Sequence, residues 1–185
     1  MYFYQNQRLN QSIQISVATK TDASSIVKFY SELSNSSKEK FAPHEFTIEY
    51  LSDHILDHSN YITVIAKNSI TKEVIGYAVS QLWIFDYDII RWKNYKHEID
   101  NAQKKYACFA PSVLDKFHQL GIGSMLLSET KIILSRLNFV NIILWGGVKC
   151  YNIAAVNFYL KNNFMLMGHF DYNGGNYDMC LKLNG

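Results

Sequence analysis

The chain has 185 residues, of which 48% are hydrophobic and 18% charged, enough apolar material for a sizeable core and too much for a disordered chain. Its formal net charge is only +2, so there is no basic field of the kind that drives nucleic-acid binding, and no apolar run is long enough to span a bilayer. Three cysteines, Cys108, Cys150 and Cys180, have no metal-type spacing, and the polar start of the chain lacks a signal-peptide layout; both features point to a reduced, cytoplasmic protein.

Residues 1–12 read as a flexible N-terminal segment, followed by a single domain over 13–185. Ile13, Ile15 and Val17 alternate as in a strand. Thr19 and Asp22 are spaced as a capping box, and Ile26, Phe29, Tyr30 and Leu33 then recur at helical spacing. Asn35 to Lys40 reads as a polar loop. Thr47 caps a second helix running to about His58, with Phe46 and Leu51 placed as a hydrophobic staple. Two strands follow, Tyr61 to Ala66 and Glu73 to Phe85. Asp86 to Lys105 breaks the pattern and reads as an insertion over one face of the sheet with room for a short helix, a binding loop or lid being one reading and a disordered loop the other.

Tyr106 to Leu114 returns to strand and leads into His118-Gln119-Leu120-Gly121-Ile122-Gly123-Ser124, which opens a helix to Leu137. Two glycines at such a junction allow a ligand close to the backbone, and a helix N-terminus offers open N–H groups to a phosphate. Ile142 to Val148 is nearly all apolar, the mark of a strand buried on both faces. Tyr151 to Asn162 is helical, and Phe164 to Tyr172 and Tyr177 to Leu183 form a hairpin around Asn173-Gly174-Gly175-Asn176. His54 and His58 share a helical face, but with no third ligand nearby the pattern reads as a solvated face, and no metal is expected.

Two motifs together resemble the GNAT superfamily of N-acetyltransferases. The coenzyme A signature of that family, Gln/Arg-x-x-Gly-x-Gly/Ala, falls on His118 to Gly123, with His118 in place of Gln or Arg and Gln119 where glycine is common. The downstream pattern Asn-x-x-Ala-x-x-(Leu/Phe)-Tyr-x-(Lys/Arg)-x-Gly-Phe falls on Asn152, Ala155, Phe158, Tyr159, Lys161 and Phe164, with Asn163 for the glycine. The resemblance implies an α/β (α+β) fold, a mixed, mostly antiparallel sheet of about seven strands with helices on both faces. It implies acetyl-CoA as cofactor, its pyrophosphate on His118, Gln119, Leu120, Gly121, Ile122, Gly123 and Ser124, and its pantetheine arm along Ser112, Val113 and Leu114 and against Asn152, Ala155 and Phe158.

Tyr159 is then the general acid for the departing thiolate, and an end-of-strand N–H polarises the thioester carbonyl. His44 and Glu45, in a loop that borders the acceptor site in this family, are the leading candidates for the base. The implied reaction is acetyl transfer to a primary amine of a small molecule by direct attack through a tetrahedral intermediate. A protein or peptide amine as acceptor, or a non-catalytic acyl-CoA sensor, are the rival readings, and a homodimer through the C-terminal hairpin edge is open by analogy.

Overall fold

A computed structural model of the chain describes residues 2–6, 11–93, 95 and 106–183. Nine strands and six helices form among them, and the chain divides into two compact units. The first comprises residues 1–80 and 110–132, the second 81–109 and 133–185. Strand β5 (Tyr106–Val113) runs through both.

In the first unit β1 (Tyr2–Asn6) pairs antiparallel with β2 (Gln11–Val17), and β2 with β3 (Tyr61–Asn68). The segment before Ser12, expected as a flexible lead, therefore carries a strand, in register from Tyr2↔Ile15 to Asn6↔Gln11; residues 1 and 7–10 lie outside the described residues. Strand β4 (Val74–Gln81) is buried along its whole length and lies between β3 and β5. Helix α1 (Ala23–Glu32) buries Ala23, Ile26 and Phe29, the periodic apolar face read from the sequence. The capping box before it forms, with Thr19 N–H donating to Asp22 Oδ2 at 3.0 Å.

Two expectations here are corrected. Asn35–Lys40 is a helix, α2, and not a loop, because Ser34 caps it by accepting the Ser37 N–H at 3.2 Å. The helix capped by Thr47 starts as predicted (α3, Ile48–Tyr50) but passes into a wider π turn over Leu51–Ile55 and stops there. Asp57 then takes φ 58°, so His54 and His58 do not share a helical face. His54 instead lies against Tyr50 and His58 against Tyr61.

The second unit is built on β9 (Gly175–Lys182). It pairs antiparallel with β6 (Asn141–Leu144), β7 (Val148–Lys149) and β8 (Met165–Asp171). The first half of β5 runs parallel to β6, from Tyr106↔Asn141 to Phe109↔Leu144. The single strand expected over Ile142 to Val148 is interrupted, since Gly146 and Gly147 take φ of 71° and 74° and turn the chain. The closing hairpin is as expected, with Asn173 and Gly174 at positive φ.

Helix α4 (Asp86–Lys93) occupies the start of the expected insertion, whose residues 94 and 96–105 lie outside the described residues. The described part is packed. Trp92 and Ile89 share a buried cluster with Ile84, Cys108, Ile143 and Cys180. Thus Trp92 is core, while Tyr87 is largely exposed.

Candidate functional site

The glycine turn lies in the first unit. Leu114 N–H donates to Ile75 O of β4 at 3.0 Å, and the chain then makes a short 3₁₀ turn over Asp115–Phe117. Gln119 and Gly121 both adopt left-handed backbone, with φ of 61° and 83°. At position 119 a glycine would sit without strain, the physical reason that family members commonly carry one there. Helix α5 (Ile122–Arg136) begins directly afterwards. Met125 N–H closes its first turn on Gly121 O at 3.1 Å, so the N–H groups of Ile122, Gly123 and Ser124 belong to the open, partially positive end of the helix.

The helix start is seated by Gly76 in β4. A Cβ there would fall 2.9 Å from Ile122 Cγ2 and 3.1 Å from Leu126 Cδ1, so only glycine admits this approach. A Cβ on Gly121, by contrast, meets nothing within 4 Å; the space over the turn is open. His118 does not reach over it. Its Nε2 lies 2.8 Å from Val113 O, tying the turn back to the end of β5.

Backbone groups alternate along a strand, so Leu114, whose N–H is spent on β4, leaves those of Val113 on the opposite edge of β5. The register with β6 ends at Phe109↔Leu144 while β5 runs on to Val113, so among the described residues no strand is registered on that edge beyond Phe109. Pro111 lies there and offers a carbonyl but no N–H.

His44, also in the first unit, sits in an aromatic cluster. Its ring lies 4.4 Å from Phe46 and 5.9 Å from Tyr77 between centroids, and Phe46 stacks on Tyr30 at 4.0 Å. Its Nδ1 is 2.8 Å from Glu45 O and its Nε2 2.7 Å from Tyr77 Oη. Since a carbonyl only accepts, Nδ1 carries the proton and Nε2 accepts the Tyr77 hydroxyl. Burial lowers the His44 pKa against a smaller opposing effect of the Glu45 carbonyl, and it raises that of the fully buried Tyr77. For His44 to take a proton, Nε2 must first give up Tyr77. Glu45 meets His44 through its backbone carbonyl, and its side chain is exposed.

The second motif lies in the second unit. Asn152 caps α6 (Ile153–Lys161), Oδ1 accepting the Ala155 N–H at 3.4 Å, and its side-chain NH₂ is not part of that cap. Ala155 and Phe158 are half-buried and Tyr159 is buried. The Tyr159 ring packs edge-on against Phe158 and Phe164, each at 5.1 Å. Burial raises its pKa, so the phenol keeps its proton across the physiological range. Asn163 takes φ 66°, the left-handed conformation expected where the family has glycine, and Phe164 N–H returns to Tyr159 O at 3.0 Å.

Of the three cysteines, all unpaired, Cys108 and Cys180 are buried; burial pushes both thiols up, Cys180 to about 12. Among the described residues no group of three or more His, Cys, Asp and Glu could hold a metal ion. No helix among them is long and apolar enough to cross a membrane. Sequence reasoning missed Gly76, Asp115 and the Tyr77 hydroxyl, because each acts through a partner distant along the chain.

Comparison with known proteins covers nearly the whole chain. The GNAT domain of an S. lividans PAT superposes with a TM-score of 0.75 at 15% identity, over 98% of this chain and 96% of that one. A GNAT-type N-acetyltransferase from Kribbella flavida gives 0.69 at 20% identity, over 92% and 98%. The yncA protein of Salmonella typhimurium, whose structure contains its cofactor acetyl-CoA, gives 0.67 at 16%, over 93% and 94%. None of the curated proteins matches the sequence. The acetyltransferase (GNAT) family pattern matches residues 26–164, a stretch that includes both the glycine turn and the Asn152–Phe164 motif, and the chain belongs to that family.

Proposed function

We propose that the protein transfers an acetyl group from acetyl-CoA to a primary amine of a small molecule by direct attack. The observation that carries the reading is the left-handed pair Gln119 and Gly121 ahead of α5, with open space above the turn. Acetyl-CoA supplies the activated thioester. Its pyrophosphate fits the N–H groups of residues 119–124, where the helix terminus favours negative charge. The outer edge of Ser112 to Leu114 suits an amide chain added like a strand, with the Val113 N–H as its donor. In the second unit Asn152, with its side-chain NH₂ outside the cap, and Ala155 and Phe158 are the cofactor residues that the family resemblance implies.

Tyr159, protonated through burial, donates a hydrogen bond to the departing sulfur. Its pKa lies above that of a thiol, about 8.5, so it stabilises developing charge, and the proton count closes with the one shed by the amine. His44 is neutral at physiological pH, as a base must be, and can take that proton once Tyr77 turns away. The small net charge favours a small-molecule acceptor over a strongly basic peptide, and three unpaired cysteines suit the cytoplasm.

Thermal unfolding with and without acetyl-CoA tests the reading. At a hundred times its dissociation constant the ligand adds about 2.7 kcal/mol to stability. An unmoved midpoint at millimolar ligand refutes it. Replacing Tyr159 by Phe keeps the acetyl-CoA shift and lowers kcat by about a hundredfold or more.

A further inference from the structure

The segment that carries the glycines is fastened to another element through one carboxylate. Asp115 Oδ2 accepts the Ser34 N–H at 3.1 Å, and Oδ1 accepts the hydroxyls of Ser34 at 2.9 Å and Ser37 at 2.7 Å. Ser34 is the cap of α2, and Ser37 is the residue whose N–H it holds. A single side chain therefore joins the start of α2 to the turn that leads into α5.

The group is charged at any working pH. Its limited burial alone would raise its pKa, but bonds from Ser37 and Ser34 and the nearby His118 outweigh that and hold it at about 2. Charge-assisted bonds of this kind are the stronger ones. By comparison Lys116, 4.0 Å from Glu32 on the exposed surface, contributes little to holding the same turn.

The turn needs holding because Gln119 is left-handed without being glycine, a conformation that persists only when its surroundings enforce it. A phosphate cradle shaped before its ligand arrives spares the ligand the cost of ordering it. We propose that Asp115 is a positioning residue for the cofactor turn, keeping residues 115–121 in the shape that sets the start of α5, with the N–H groups of Ile122, Gly123 and Ser124, toward a pyrophosphate. This rests on the acetyl-CoA reading above.

Titration calorimetry of acetyl-CoA against wild type, Asp115→Ala, Ser37→Ala and Ser37→Thr tests it. Asp115→Ala is expected to bind about tenfold more weakly, equivalent to about 1.4 kcal/mol. Ser37→Ala shifts the same way by less, and Ser37→Thr, which keeps the hydroxyl, restores wild-type affinity. The double variant Asp115→Ala/Ser37→Ala binds no more weakly than Asp115→Ala alone, since both remove one linkage.

Variants that melt earlier yet bind with wild-type affinity overturn the proposal, leaving Asp115 a structural role only. Should Asp115→Ala not fold, the Ser37 pair decides the matter. Wild type that fails to bind acetyl-CoA overturns the cofactor reading and this proposal with it. Wild type that binds, with unaffected variants, overturns this proposal alone.

Discussion

Each unit of the molecule contains an aspartate arrangement, and the two obey opposite electrostatics. In the first unit Asp115 is exposed and accepts hydrogen bonds from the neutral donors of Ser34 and Ser37. In the second, Asp88 and Asp178 are fully buried and share one guanidinium. Arg91 donates from Nε and Nη2 to Asp178 at 2.5 and 3.0 Å and lies 2.6 Å from Asp88, while the Tyr95 hydroxyl donates to Asp178 at 2.8 Å. The guanidinium also rests 4.0 Å above the Phe170 ring. Among the described residues two acids face one base in a dry place, and burial raises the Asp88 pKa, whereas hydrogen bonds lower that of Asp115. The contrast separates two uses of a carboxylate: clasping a turn where water still reaches, and anchoring helix α4 where it does not.

The largest effect that tests this contrast is expected from Asp178→Ala, which strands Arg91 with a single acid. Breaking a buried pair costs about 3–5 kcal/mol, read by denaturant unfolding. Asp88→Asn should cost under about 1 kcal/mol, because Arg91 keeps its bidentate partner. Equal losses in the two variants would dissolve the distinction between them. Next comes Gly168→Ala. The Tyr95 ring lies over Gly168 so closely that a Cβ there would come within 2.1 Å of Cε1. Displacing Tyr95 costs about 1–3 kcal/mol, the usual range for overpacking, with acetyl-CoA binding unaffected.

The same contrast marks what could be read from the sequence. In the two motifs the chemistry is local: the φ values at 121 and 163 answer directly to Gly and Asn, and Asn152 caps the helix it precedes. The strand alternation, the helical apolar faces and the closing hairpin are legible for the same reason. In the insertion a short helix was legible but not its anchoring, because α4 is held by Asp178, far along the chain. Nor was β1, whose strand exists by pairing with β2. The helix over Asn35–Lys40 was hidden by its polarity, its stabilising cap being Ser34 and not an apolar face. Asp115 carries no local signal, and only the fold brings Ser34 and Ser37 to it.

Acid unfolding sharpens the comparison through its sign. Asp115 has a folded pKa of about 2 against 3.8 unfolded, so its contribution is present above pH 3.8 and is lost as pH falls from there towards 2. His44, also lowered, acts in the same direction in a higher window, losing stability as pH falls below 6.5. Asp88 is raised, so its contribution runs the other way, present below pH 3.8 and lost as pH rises through its folded value. Asp115→Asn should flatten the stability loss below pH 3.8, whereas Asp88→Asn should steepen the loss on acidification. Identical pH profiles for the two variants would contradict the opposite signs.

The smallest expected effect lies at Gln119. Its φ of 61° costs a side-chain-bearing residue roughly 1 kcal/mol, which glycine avoids, and glycine's greater freedom in the unfolded chain returns part of that. Gln119→Gly should therefore stabilise the protein by less than about 1 kcal/mol in denaturant unfolding. The acetyl-CoA shift should survive unchanged, because the proposed binding is through backbone N–H groups that the substitution retains. A destabilised Gln119→Gly protein would mean that interactions of the glutamine side chain outweigh the strain. A stabilised one that no longer binds would move the cofactor contact from the backbone to that side chain, and with it the reason Asp115 must hold the turn in shape.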